Sequence, residues 1–104
     1  MERRALTQAE LSQALAELPG WEVVDGKLHK RYTFGSFAEA IGWMVAAAIQ
    51  ADKLDHHPDW SNSYKKVTVS LMTHDLKALS GLDVELARHM EKLAERQGAT
   101  KKSA

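Results

Sequence analysis

The 104-residue chain contains no cysteine. That removes disulfide frameworks, thiolate nucleophiles, iron–sulfur clusters and cysteine-ligated zinc from the functions open to it. Proline is scarce, with two residues, and glycine numbers only six, so nothing marks a linker between two folding units. An excess of either charge is also missing: 14 Lys and Arg balance 14 Asp and Glu. Neutralising phosphates needs a basic surface, so nucleic acid is not an expected partner. The longest apolar run, residues 41–49, interrupted by Gly42, falls far short of the roughly 20 residues that span a bilayer. The first residues lack the apolar core of a signal peptide, so the expectation is a cytoplasmic protein with no membrane segment.

What remains is a chain with 44% apolar and 27% charged residues. That balance, at this length, predicts one domain over residues 1–104, ordered from about 6 to 98 and with short flexible ends. Three helix starts carry the same device, a hydroxyl followed three residues later by a carboxylate. Thr7 with Glu10 opens a run of Leu11, Leu15 and Leu18 that stops at Pro19-Gly20. Ser36 with Glu39 opens a helix to about Lys53. Ser80 with Asp83 opens a third, carrying Leu82, Leu86, Met90 and Leu93, with Gly98 placed to end it.

Strand signals lie between. Residues 21–24 and 28–34 flank Asp25-Gly26, a hairpin dipeptide. Residues 66–73 alternate, and a short extended piece at 59–63 is placed to pair with them. The order α-β-β-α-β-β-α predicts an α+β fold: a four-stranded antiparallel sheet with three helices packed on one face. In the second helix Phe37, Ile41, Met44 and Ala48 form one stripe, while Ala40, Trp43, Val45, Ala47 and Ile49 cover most of the rest. A helix apolar nearly all round is buried on more than one side, which predicts a homo-oligomer; the alternative is a central core helix.

The chemistry concentrates in Asp52-Lys53-Leu54-Asp55-His56-His57-Pro58-Asp59, with His74-Asp75 beyond the alternating strand. Pro58 keeps His57 extended, a helix stop, and the two adjacent rings then point in different directions. A hairpin between 59 and 73 returns His74 towards His56 and His57. Three readings stay open. The imidazoles could cap the helix C-terminus, ligate zinc with a carboxylate, or transfer protons without a cofactor near neutral pH. His89 reads as a surface residue, and His29 has no polar partner nearby in sequence.

The pattern Asp52, three residues, His56-His57-Pro58, five residues, Tyr64, nine residues, His74 and then Asp83 resembles that of the pterin-4a-carbinolamine dehydratases. The resemblance extends to Pro19-Gly20-Trp21, to Phe37 and Trp43-Met44, and to Leu79-Ser80. It implies the same α+β architecture, a homodimer or homotetramer, and one reaction in tetrahydrobiopterin recycling, the dehydration of a 4a-hydroxytetrahydropterin. The pterin is then the substrate, with neither cofactor nor metal implied, and an aromatic amino acid hydroxylase is the implied neighbour. By matched position His56, His57 and His74 are the catalytic imidazoles, with His57 or His74 as base. Asp52, where many relatives carry the longer Glu, would hold the pterin or orient a histidine. Asp55, Met72, Thr73 and Asp75 flank the histidines where relatives hold substrate. Trp21 is either a stacking wall for the pterin or a core residue. Tyr64 and Asp83 read as structural, packing across the hairpin and closing a capping box. The alternative implied by the resemblance is a dimerisation cofactor of transcription regulators, or an assembly partner, on the same scaffold.

Overall fold

A computed structural model describes residues 4–96. The proposed helix stop at Gly98 and the lysine-bearing tail lie outside the described residues. The elements run α1 (Gln8–Ala16), β1 (Glu22–Val24), β2 (Lys27–Thr33), α2 (Phe37–Leu54), β3 (Asp59–Ser63), β4 (Lys66–Leu71) and α3 (Gly81–Arg96). The strands form one antiparallel sheet in the order β1-β2-β4-β3. This is the expected α+β fold.

Local chemistry sets each boundary. At α1 the Thr7 hydroxyl accepts from the Glu10 amide and Glu10 accepts from the Thr7 amide, a complete capping box. Arg4 grips the same carboxylate, and that bond, followed by the Thr7 amide, lowers the Glu10 pKa to about 2. At α2 the box is displaced by one residue: Ser36 accepts from the Glu39 amide, but the Glu39 carboxylate reaches back to the Gly35 amide. Asp25 and Gly26 both take positive φ, as a two-residue hairpin turn between twisted strands requires. Residues 4–6, expected to be frayed, are tied down: Ala5 bridges Ser80, and the Leu6 amide donates to Leu79 O.

The alternation in β4 resolves as read, with Val67, Val69 and Leu71 fully buried and Thr68 and Ser70 on the other face. Leu28, Tyr32 and Phe34 join them from β2 and the residue after it, and Trp43 of α2 packs on Tyr32 and Phe34. The inward face of α2 is Ala40, Trp43, Ala47 and Ala51, all essentially inaccessible. Alanines bring the helix axis close to its neighbours, and one large indole fills the space that remains. The larger residues therefore fall outside: Phe37, Ile41, Val45 and Ile49, four residues apart, form an exposed stripe. The sequence offers two apolar stripes; side-chain size decides which one faces the core.

Towards the far end of α3 a largely buried polar cluster lies against the aromatic core. Glu91 Oε2 accepts from Lys30 Nζ at 2.7 Å, from Trp21 Nε1 at 3.1 Å and from the Tyr32 hydroxyl. Burial first, and then the Glu91 carboxylate, push the Tyr32 phenol far above its ordinary range. Trp21 is thus a core residue, 5% exposed and edge-on to Tyr32.

The candidate active site

Non-glycine strain begins the site. Helix α2 ends on Asp55, whose backbone is left-handed with φ 50°. Aspartate tolerates that conformation better than most residues. The reversal lets the His56 amide bond back to Ala51 O at 3.0 Å, closing the helix end. It also separates the two adjacent histidines. The His56 ring turns inward and is 6% exposed, whereas His57 is 60% exposed.

What receives His56 is Asp83, at the start of α3 and wholly buried. His56 Nε2 lies 2.6 Å from Asp83 Oδ1. Because a carboxylate only accepts, Nε2 carries the hydrogen. Asp83 Oδ2 accepts from the Thr73 hydroxyl and from the Ser80 amide, both at 2.9 Å. With its hydrogen committed to Asp83, Thr73 Oγ1 accepts from the Ser80 hydroxyl at 2.5 Å, and Ser80 Oγ in turn accepts from the Leu82 amide. The bonds run in one direction, each polarising the next. One carboxylate therefore joins the end of α2, the segment after β4 and the start of α3.

His74 follows Thr73 directly, and its Nε2 lies 3.3 Å from Asp59 Oδ2. Asp59 stands two residues after His57, and His57 Nε2 in turn lies 3.0 Å from Asp52 Oδ1. The three histidines thus meet three different aspartates, each through Nε2, at the end of the sheet where β3 begins and β4 stops. Nδ1 of the exposed rings is the nitrogen that faces away from the carboxylate. Among the described residues no group of three or more His, Cys, Asp or Glu side chains is placed to hold a metal ion.

The other sequence candidates divide. Asp75 is exposed and Met72 half-buried beside His74, and Asp55 is exposed as the helix cap. Thr73 is buried, its amide bonds Ala78 O, its carbonyl accepts from Leu76 and Ala78, and its hydroxyl serves Asp83. It has no polar atom left for a ligand, so it fixes the backbone beneath His74. Trp21, as a stacking wall, is not brought to the histidines: its indole rests on Glu91, eight residues and about 12 Å along α3 from Asp83. Tyr64 does not pack across the hairpin. It occupies the β3–β4 turn at φ 56°, 66% exposed, at the opposite end of β3 from Asp59. Asp83 was legible only as a capping residue, and its contact with His56, 27 residues away, left no local signal. Asp59 was visible as an acid in the cluster, but not as the partner of His74. His29 finds Ser70 Oγ across the ladder at 3.2 Å, and His89 pairs with Glu85 on its own helix.

Residues 4–93 match the family model described as pterin 4 alpha carbinolamine dehydratase. A protein of Jannaschia sp. (strain CCS1) named "Putative pterin-4-alpha-carbinolamine dehydratase" is 50% identical over 94 residues, covering 86% of this chain and 96% of its own. A relative of the same name from Opitutus terrae is 51% identical over 90 residues, covering 86% and 93%. A crystal structure described as a transcriptional coactivator/pterin dehydratase from Brucella melitensis superposes with a TM-score of 0.84 at 42% identity, covering 88% of this chain and 99% of that one. A pterin dehydratase-like protein described as a RuBisCO assembly factor shares the fold, with a TM-score of 0.59 at 23% identity over 71% of this chain and 86% of that one.

Removing the carboxylate at the junction leaves an imidazole, a hydroxyl and an amide buried without an acceptor. Asp83→Ala is expected to cost about 3–5 kcal/mol and lower the thermal midpoint by more than about 10 °C, read by calorimetry. Asp83→Asn, which keeps one acceptor, is expected to lose less.

Proposed function

The chain belongs to the pterin 4 alpha carbinolamine dehydratase family, and on that premise we propose that it eliminates water from a 4a-hydroxytetrahydropterin. The product is the quinonoid dihydropterin, as in tetrahydrobiopterin recycling beside an aromatic amino acid hydroxylase in the cytoplasm. The observation that supports this reading is the gathering of His56, His57 and His74 at one end of the sheet, each against its own carboxylate.

The reaction moves two protons and no electrons between molecules. A proton goes to the departing hydroxyl on C4a while the C4a–O bond breaks. A second leaves the neighbouring ring nitrogen, whose electron pair closes the new C=N bond. Neither step calls for a redox group or a Lewis acid. Imidazoles suit both, because their ordinary pKa lies near neutrality, and one well-placed acid or base contributes roughly 10²–10⁴-fold. His57 and His74 are the proton-transfer pair, because their rings are open to a ligand while Nε2 is held. Asp52 orients His57. His56 is clamped by Asp83 and forms the buried wall from which His57 projects. Asp55, Met72 and Asp75 frame the substrate.

A second reading concerns assembly, and the exposed α2 stripe favours it. Phe37, Val45 and Ile49 are each more than half exposed and Ile41 more than a third. Fully burying such a side chain is worth about 1.5–3 kcal/mol, so covering the half that is exposed gives roughly 1 kcal/mol for each. A second copy of the chain presents the same stripe, and a homodimer or homotetramer built through α2 buries both.

Two measurements test these statements. With freshly generated 4a-hydroxytetrahydropterin, the protein is expected to accelerate dehydration over buffer. His57→Ala or His74→Ala is expected to cut that rate at least about tenfold with an unchanged unfolding midpoint; no acceleration by folded protein refutes the reading. By light scattering the wild type is expected to run as an oligomer and Val45→Glu with Ile49→Glu as a monomer. A monomeric wild type leaves the stripe to a different partner protein.

A further inference from the structure

Asp59 is absent from the sequence pattern that carries the family resemblance, yet it is the carboxylate that His74 meets. Both residues stand on fixed backbone. Asp59 follows Pro58, whose ring locks φ, and opens β3 directly opposite Ser70 in the β3–β4 ladder. His74 follows Thr73, which is immobilised by its bridge to Ala78 and by the hydrogen bond of its hydroxyl to Asp83. The pair therefore needs little ordering of the chain to form, although both side chains are more than half exposed, at 61% and 58%. Register also puts Asp59 on the open face of the sheet, in one cross-strand row with Ser70, His29 and Glu22.

An exposed ion pair adds little to stability. What it can do is restrict the rotation of a ring about its side-chain bonds. We infer that Asp59 is a positioning residue for His74: its carboxylate holds Nε2 so that Nδ1 faces the substrate. The aspartates then divide the work. Asp83 holds His56 inside the fold, Asp52 steadies His57, and Asp59 aims His74. This inference rests on the dehydratase reading only for what the aimed ring does; the pairing itself is independent of it.

The test has two arms. In the first, Asp59→Asn is expected to leave the thermal midpoint and, within about twofold, KM unchanged, and to lower kcat about three- to tenfold. Asp59→Glu is expected to restore part of that loss. In a His74→Ala background Asp59→Asn is expected to cost nothing further, because a residue acting through His74 has nothing left to act on. An equal loss in both backgrounds, or no loss in either, overturns the inference. The second arm uses no substrate: the imidazole ¹⁵N resonances of His74 are expected to move in Asp59→Asn while those of His56 stay in place. Unmoved His74 resonances overturn the inference. A wild type that fails to outpace buffer overturns the dehydratase reading instead, and the resonances still decide the pairing.

Discussion

The Asp83 carboxylate is the one group on which three separate parts of the described chain converge. Helix α2 ends, β4 ends and α3 begins at this one group, through His56, Thr73 and Ser80 respectively. A buried charge is tolerated only where its lone pairs are used, and here both oxygens are engaged. Once the junction is set, the exposed side chains follow from chain direction. His57 must project outward because His56 points in, and His74 must follow Thr73 onto the rim. The site is thus a buried polar anchor with two open rings attached.

Among the described residues buried charge is handled in two places and in different ways. Glu91 neutralises Lys30 and accepts from a phenol and an indole, and that cluster lies against the aromatic core, where it ties β2 to α3. Asp83 faces an imidazole, a hydroxyl and one backbone amide, beside residues open to solvent. Similar chemistry serves packing in one place and, in the other, anchors the segments that carry the exposed His57 and His74. The difference is position: α3 carries Glu91 deep along the sheet and Asp83 at its own first turn.

The sequence made legible whatever depends on near neighbours. Hydroxyl–carboxylate spacings marked the helix starts, Asp25-Gly26 marked the hairpin, and alternation from Val67 to Leu71 marked the buried strand. The pattern around His56, His57 and His74 was equally readable, because Pro58 and the β3–β4 hairpin constrain it locally. Long-range choices were not. Trp21 sits on Glu91 rather than near the histidines because a partner 70 residues away fixes its indole. Which stripe of α2 turns inward depends on the room left by the sheet and α3. Tyr64 and Lys65 form the two-residue turn between the paired Ser63 and Lys66, and the Tyr64 ring is left exposed there rather than packed across the hairpin.

The central claim is that the two open rings, His57 and His74, address one ligand. A crystal structure with a non-reactive pterin analogue tests it most directly. The account predicts the pterin ring at the start of β3 and the end of β4, within hydrogen-bond reach of Nδ1 of both His57 and His74. A pterin bound elsewhere, or touching only one of those rings, would contradict it.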